Sequence, residues 1–382
     1  MKTSFYSNFL FLFLSLLFFY SCSSTDDLEA FEEIAETPIE TPSETPSETS
    51  SETPDDDYPW QPLGAGMDDT VMALFEYEGD LIAGGWFEKA GTQDVGFVAK
   101  WDGSAWNKMN SGMNGMVYAF ENYNGSLIAS GWFDTTAGGK DVNFIASWDG
   151  KEWNPLGNGR TEATVALTIF NNDLIAGGYS ASGGEDSNRV ARWDGNEWHT
   201  MGTGINGPVW SLIVYKGDLI AGGWFQTAGG HDVNYIARWD GDNWQPLGTG
   251  LDAAVEVLGI FEGELIAGGA FTTAGGINAN KIARWDGSEW HSIGEGMIGD
   301  VYSLTVHKDK LIAGGTFTQA DGKPAKNIAM WDGTTWSPIG EGLNDWVPAL
   351  ASYNETFIAG GNFNRSGNND LSFIAIYNEP EE

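Results

Sequence analysis

Residues 219–244 decide the fold. They read Leu219-Ile220-Ala221-Gly222-Gly223-Trp224-Phe225, a Gly-rich loop, then Tyr235-Ile236-Ala237-Arg238-Trp239-Asp240-Gly241 and, three residues on, Trp244. Just before them stands Val209-Trp210-Ser211-Leu212-Ile213-Val214-Tyr215, joined by Lys216-Gly217-Asp218. Short β-branched and aromatic runs bounded by Gly turns are strand and hairpin signals. The unit therefore reads as four antiparallel strands. The paired glycines let neighbouring backbones approach closely.

The unit recurs. Leu-Ile-Ala-Gly-Gly stands at 81–85, 174–178, 219–223, 265–269 and 311–315, with variants at 127–131 and 357–361. Trp-Asp-Gly begins at 101, 148, 193, 239, 285 and 331, with Tyr377-Asn378 as a decayed seventh. A further Trp precedes each Gly-rich tail: Trp60, Trp106, Trp153, Trp198, Trp244, Trp290 and Trp336. A repeat of this length with four strands is the size of a propeller blade. The expected fold is all-β, a seven-bladed β-propeller over residues 58–379. The chain opens on a lone fourth-strand motif at Trp60 and ends after a third strand at Phe373-Ile374-Ala375-Ile376-Tyr377. The N-terminal strand is thus expected to complete the last blade, which removes two sheet edges.

The order Gly-Gly, aromatic-Asp-Gly, Trp resembles the kelch and galactose-oxidase-like propellers, the repeat-rich surface propellers of bacteria and the fungal cortical-marker repeats. The resemblance covers about residues 60–378 and implies the seven-bladed fold and a binding role. Two departures stand out. Trp replaces the usual Tyr before Asp, and a Trp-x-Pro-Leu-Gly-x-Gly tail is added. The copper chemistry of galactose oxidase needs a Tyr–Cys cross-link, and the one cysteine here is Cys22.

Residues 1–21 have the shape of a signal peptide: Lys2, an apolar run over Phe9–Tyr20, then Phe19-Tyr20-Ser21-Cys22. This resembles a bacterial lipobox, which makes Cys22 the lipidation site. The following Ser23-Ser24-Thr25-Asp26-Asp27 resembles the surface-export signal of Bacteroidetes-type lipoproteins. Residues 22–57 then read as a disordered tether, because residues 25–57 hold 13 acidic side chains, no basic one and repeated Glu-Thr-Pro. Residues 380–382 are an acidic tail. The expected address is the cell surface on an outer membrane, with the lipid as the one membrane contact.

The formal net charge of −36 argues against nucleic acid as a partner, since phosphate binding needs Lys and Arg. No metalloprotease, hydrolase-elbow or P-loop motif occurs, and nothing calls for a metal or cofactor. His199 and His291 share one repeat slot and read as surface residues. Three functions remain open: a non-enzymatic monomeric binding propeller for an extracellular glycan or protein, a polysaccharide lyase or glycosidase, and a structural adhesin subunit.

Repeats carry an internal control: slots that vary between blades are free to serve function. Trp86, Trp132 and Trp224 follow Gly-Gly, and Tyr179 fills that slot in blade 3. Ala270, Thr316 and Asn362 hold it in blades 5–7. Trp210 and Trp346 lie near the start of a first strand. Strand alternation puts these aromatics on one end of the ring with Arg160, Arg189 and Arg365 and the acids Asp68, Asp69, Glu162, Asp252, Glu256, Asp300 and Asp345. The candidate ligand-binding residues are Trp86, Trp132, Tyr179, Trp224, Trp210, Trp346 and Arg160. Aromatics with a few charges suit sugar stacking or protein docking.

Overall fold

The computed structural model describes residues 58–179 and 189–379, and every element within them is a strand. The signal segment, Cys22 and the tether lie outside the described residues, as does the tail at 380–382. Seven four-stranded antiparallel sheets form among the described residues, with four smaller two- or three-stranded ones in the loops besides one at 89–94. Blade 4 shows the pattern: Val209–Tyr215, Asp218–Gly223, Ile236–Trp239 and Trp244–Pro246, paired in that order. The first strands of the others are Val71–Tyr77, Met116–Tyr123, Ala163–Phe170, Val255–Phe261, Val301–His307 and Ala349–Tyr353. Each packs against the first strand of the next blade, and that of blade 7 packs against that of blade 1. The chain is a closed β-propeller.

Closure is the one expected from the sequence. Trp60–Pro62 pairs antiparallel with Ile374–Tyr377, in the register Trp60↔Tyr377, Gln61↔Ile376 and Pro62↔Ala375. The same register recurs in the other six blades, as Trp101↔Trp106 or Trp239↔Trp244, so their third- and fourth-strand rings meet at 5.1–5.5 Å.

A second contact joins the blades. Each fourth-strand indole N–H donates to a carbonyl in the tail of the preceding blade: Trp106 to Leu63 (3.0 Å), Trp153 to Met109 (3.2 Å), Trp198 to Leu156 (3.2 Å), Trp244 to Met201 (3.3 Å), Trp290 to Leu247 (3.4 Å) and Trp336 to Ile293 (3.2 Å). Trp60 completes the circle by donating to Ile339 at 3.3 Å. A buried indole N–H needs such a partner.

The core follows the same logic. Seven buried clusters lie at the seven blade interfaces, each made from the second and third strands of one blade and the face of the next. Glycine admits that approach. A Cβ on Gly222 would stand 2.6 Å from Val255 of the next blade, and one on Gly64, at φ +61°, 2.5 Å from the Trp101 ring.

The other end of the ring is built from tight turns. The first two strands join through residues such as Glu78 (φ 53°) and Gly79 (φ 83°), the positive-φ pair that a type I′ hairpin requires. In the Trp-Asp-Gly turn, Asp102 Oδ1 accepts the N–H groups of Ser104 and Ala105, both at 2.9 Å. Those donors hold the Asp102 carboxyl well below the usual carboxylate range.

Trp60 is fully buried, and its ring packs on Tyr377 and Phe357 at 5.0 and 5.5 Å. Trp60→Ala is therefore expected to cost about 3–5 kcal/mol, as large core truncations do. Denaturant unfolding reads this directly. A loss under about 1 kcal/mol would show that closure contributes little.

Candidate functional site

Strand alternation sends the second-to-third loops and the fourth-to-first connections to one end of the ring. The first strand of each blade starts there, and in six blades it carries a β-bulge: the register slips between Val71/Ala73, Val117/Ala119, Thr164/Ala166, Val209/Ser211, Val255/Val257 and Val301/Ser303. The skipped residues are Met72, Tyr118, Val165, Trp210, Glu256 and Tyr302. A bulge leaves its extra residue unpaired and re-aims the side chain. One position per blade is thus released from the sheet at the inner rim, and its chemistry differs in each.

The aromatic candidates gather beside it. Tyr179 lies between Trp132 (5.8 Å) and Trp210 (5.3 Å). The Tyr118 hydroxyl donates to Met116 Sδ at 3.5 Å, and burial pushes its pKa up to about 12. Trp86, Trp132, Tyr179 and Trp210 are partly buried, and Trp224 is 47% exposed. Trp346 sits across the ring, edge-to-face with Tyr302 at 5.5 Å. Tyr118 and Tyr302 were missed by sequence reasoning. Their slot holds Met, Val, Trp and Glu elsewhere, so no motif marks it. Aligning the residue after each first-strand Val (Thr164 in blade 3) would have found both.

Blades 5–7 present a polar wall. Glu256 is partly buried, and burial together with the nearby Asp300 charge raises its pKa to about 7. Asp300 is held by Lys281 at 2.9 Å. Burial, then the Glu256 and Asp300 charges, raise the Tyr302 phenol above its ordinary value. Next to it runs a hydrogen-bond chain: Asn362 Nδ2 donates to Asp345 Oδ2 at 2.9 Å, and the Thr70 hydroxyl donates to Asn362 Oδ1 at 3.0 Å.

Other candidates have structural roles. Asp68 Oδ1 accepts the N–H groups of Glu88 (3.0 Å) and Lys89 (2.8 Å), and Asp252 does the same for Thr272 (2.8 Å) and Thr273 (2.9 Å). Asn114, Asn206 and Asn344 do this in their own blades, so the slot is a loop clamp rather than a reactive acid. Asp69 caps Thr70. Arg365 is exposed and pairs with Asp370 at 2.9 Å. Arg160 and Arg189 are not on the open surface: each side chain is about nine-tenths buried around Glu162. His199 and His291 lie at the turn end, each bonded to its turn aspartate, Asp194 (2.7 Å) or Asp286 (2.8 Å), as Asn107 and Asn154 are in other blades.

The sequence matches no protein-family model, and no curated protein is similar enough to indicate kinship. Solved structures do match in shape. The extracellular domain of a protein designated a hybrid two-component system from B. thetaiotaomicron superposes with a TM-score of 0.55 at 12% identity, covering 84% of this chain and 39% of that one. The WD40 β-propeller domain of Doa1 superposes with a TM-score of 0.54 at 13% identity, covering 83% of this chain and 95% of that one. The chain spans about two fifths of the first of these. At such identities the likeness establishes the β-propeller fold alone.

Glu256 also makes a pH prediction. A carboxyl whose folded pKa lies above its unfolded value contributes stability that is present at low pH and lost as pH rises through the folded pKa. Melting curves of wild type and Glu256→Gln should coincide near pH 4. Above pH 8 the variant should be the more stable, by on the order of 1 kcal/mol. Parallel curves over the whole range would contradict the raised pKa.

Proposed function

We propose that the protein is a non-enzymatic binding propeller that holds an extracellular carbohydrate at the loop end of its ring. One observation carries this reading: an aromatic arc over blades 1–4, from Trp86 and Tyr118 through Trp132, Tyr179 and Trp210, with Trp224 exposed beside it. Rigid aromatic faces offer apolar area to the C–H faces of sugar rings at little entropic cost. The opposite wall of carboxylates, amide and hydroxyl groups supplies the hydrogen bonds that fix orientation. The blade pattern is of the kelch and galactose-oxidase-like type in this reading. The extracellular assignment of the similar B. thetaiotaomicron domain is in keeping with a surface address, and Cys22 is the lipid anchor.

A glycan array identifies the ligand. Against any glycan so found, Trp224→Ala and Trp210→Ala should each weaken binding about tenfold or more. The Trp224 variant should melt as wild type does, since that ring is half exposed. Unchanged affinity in both variants would reject the arc. Cys22→Ser should abolish incorporation of labelled palmitate in the source cell and release the protein from the membrane fraction. Retained label would overturn the anchor.

A polysaccharide-active enzyme is the second reading, favoured by Glu256, a carboxyl that keeps its proton to about pH 7 beside Asp300 and Tyr302. Such a group is suited to general acid–base work. New reducing ends or unsaturated uronates in a polysaccharide digest, absent with Glu256→Gln, would favour this reading over binding alone.

A further inference from the structure

Blade 3 departs from its six sisters at one place, at every level of description. The slot after Gly-x-Gly holds a buried apolar side chain in the other blades: Met67, Met113, Ile205, Leu251, Met297 and Leu343, none more than 5% exposed. Blade 3 holds Arg160. Glu162, 5% exposed, stands where the others have Asp69, Gly115, Gly207, Ala253, Gly299 and Asp345. Arg189, 9% exposed, stands where four others carry Phe97, Phe144, Tyr235 and Phe373. The fourth-strand Trp is buried in six blades, yet Trp198 is partly exposed. The loop sequence changes too. Blade 4 carries buried Phe225, Ala228 and Val233, where blade 3 reads Ser180-Ala181-Ser182-Gly183-Gly184-Glu185-Asp186-Ser187-Asn188, a stretch outside the described residues.

Charge has replaced that apolar packing. Arg189 Nη1 meets Glu162 Oε2 at 2.9 Å, and Arg160 Nη2 meets Glu162 Oε1 only loosely, at 3.5 Å. The Arg160 guanidinium lies 5.4 Å from the centre of the Trp198 ring, and its Nε is buried with no hydrogen-bond partner. Among the described residues two guanidinium groups thus share one carboxylate, a local surplus of positive charge in a chain of net charge −36. Buried ion clusters of this kind are often less stable than the apolar residues that could replace them. Six sister slots show that an apolar residue fits.

The cluster adjoins the aromatic arc. Ala163, next to Glu162, pairs with Tyr179 across the sheet, and the Arg189 carbonyl accepts from Gly178, next to Tyr179, at 3.0 Å.

We propose that Arg160, Arg189 and Glu162 form an anion-binding subsite in blade 3 that takes the carboxylate or sulfate of an acidic sugar stacked on the neighbouring aromatics. The arrangement suits such a group. A guanidinium offers a planar fork of donors that matches a carboxylate or sulfate. Glu162 holds Arg189 in place, and the Trp198 face holds Arg160. The bound anion would neutralise the surplus charge and occupy the unpaired Arg160 donor. This deepens the carbohydrate reading and rests on it for the sugar, but the anion site can be tested by itself.

The test uses the full chain and the variant Arg160→Met, which restores the residue of the sister blades and is expected to fold. Two probes separate the claims. The first is thermal stability in sodium sulfate and sodium glucuronate against sodium chloride at equal ionic strength. Sulfate stabilises folded proteins in general, so wild type should gain more stability in the first two salts than Arg160→Met does. Equal responses in the two proteins would overturn the subsite. The second is a glycan array containing matched acidic and neutral oligosaccharides. Wild type should prefer the acidic member, and Arg160→Met should bind it at least tenfold more weakly while keeping the neutral one. Neutral-only binding would overturn the subsite and leave the carbohydrate reading standing. No glycan binding, with the sulfate and glucuronate response intact, would instead sink the carbohydrate reading and support the anion site. An anion response appearing only after Glu185→Gln and Asp186→Asn would show that the chain's own acids answer the two arginines, and the proposal would fall.

Discussion

The indole N–H of one blade bonded to the tail carbonyl of the blade before it is the contact on which the rest of the structure depends. It is local in space and long-range in sequence: Trp60 reaches Ile339 across 279 residues. Each bond fixes the fourth strand of one blade over the Leu-Gly tail of another, and each indole lies with an aromatic ring of the third strand beside it. The Asn or Gly at the start of that tail follows from the same contact. It needs positive φ, as at Asn110 (56°) or Gly64 (61°), and at Gly64 a side chain would strike the Trp101 ring. A circle of identical contacts leaves no weak edge, so the N-terminal strand must return to the last blade for the circle to close.

A framework so repetitive makes its exceptions informative. Where seven blades agree, the residue serves packing or a turn. Asp68 and Asp252 illustrate how this discriminates: as lone acids on the loop end they look reactive, but the asparagines of other blades do the same work. Where one blade alone disagrees and the disagreement is costly, the fold supplies no reason for it. The charged cluster of blade 3 belongs to this second class, and the bulge residues, different in each blade, are likewise free of a framework role.

The two walls of the loop end also divide by physics. Blades 1–4 present rings that pack on one another and hold their shape without a ligand. Blades 5–7 present a carboxyl pair of unequal surroundings: Asp300 is paired with Lys281, while Glu256, desolvated beside it, retains its proton toward neutral pH. An aromatic wall facing polar groups is a surface that can both stack and orient a bound molecule.

The repeat, its four strands, the blade count and the closing strand were all legible in the sequence, because they depend on the period and on residue types that every blade repeats. The face on which Trp86, Trp132, Tyr179 and Trp224 gather was legible too, since strand direction alternates. Three things were not. The bulge that frees Tyr118, Glu256 and Tyr302 is a slip in backbone pairing and leaves no residue signature. The burial of Arg160 and Arg189 depends on the blade packed against them, so their place in sequence made them look like surface charges. The clamp role of Asp68 and Asp252 depends on N–H groups some twenty residues away. Periodic chemistry sets the fold, whereas the environment of a single side chain is set by neighbours distant in the chain, and only the folded ring brings those together.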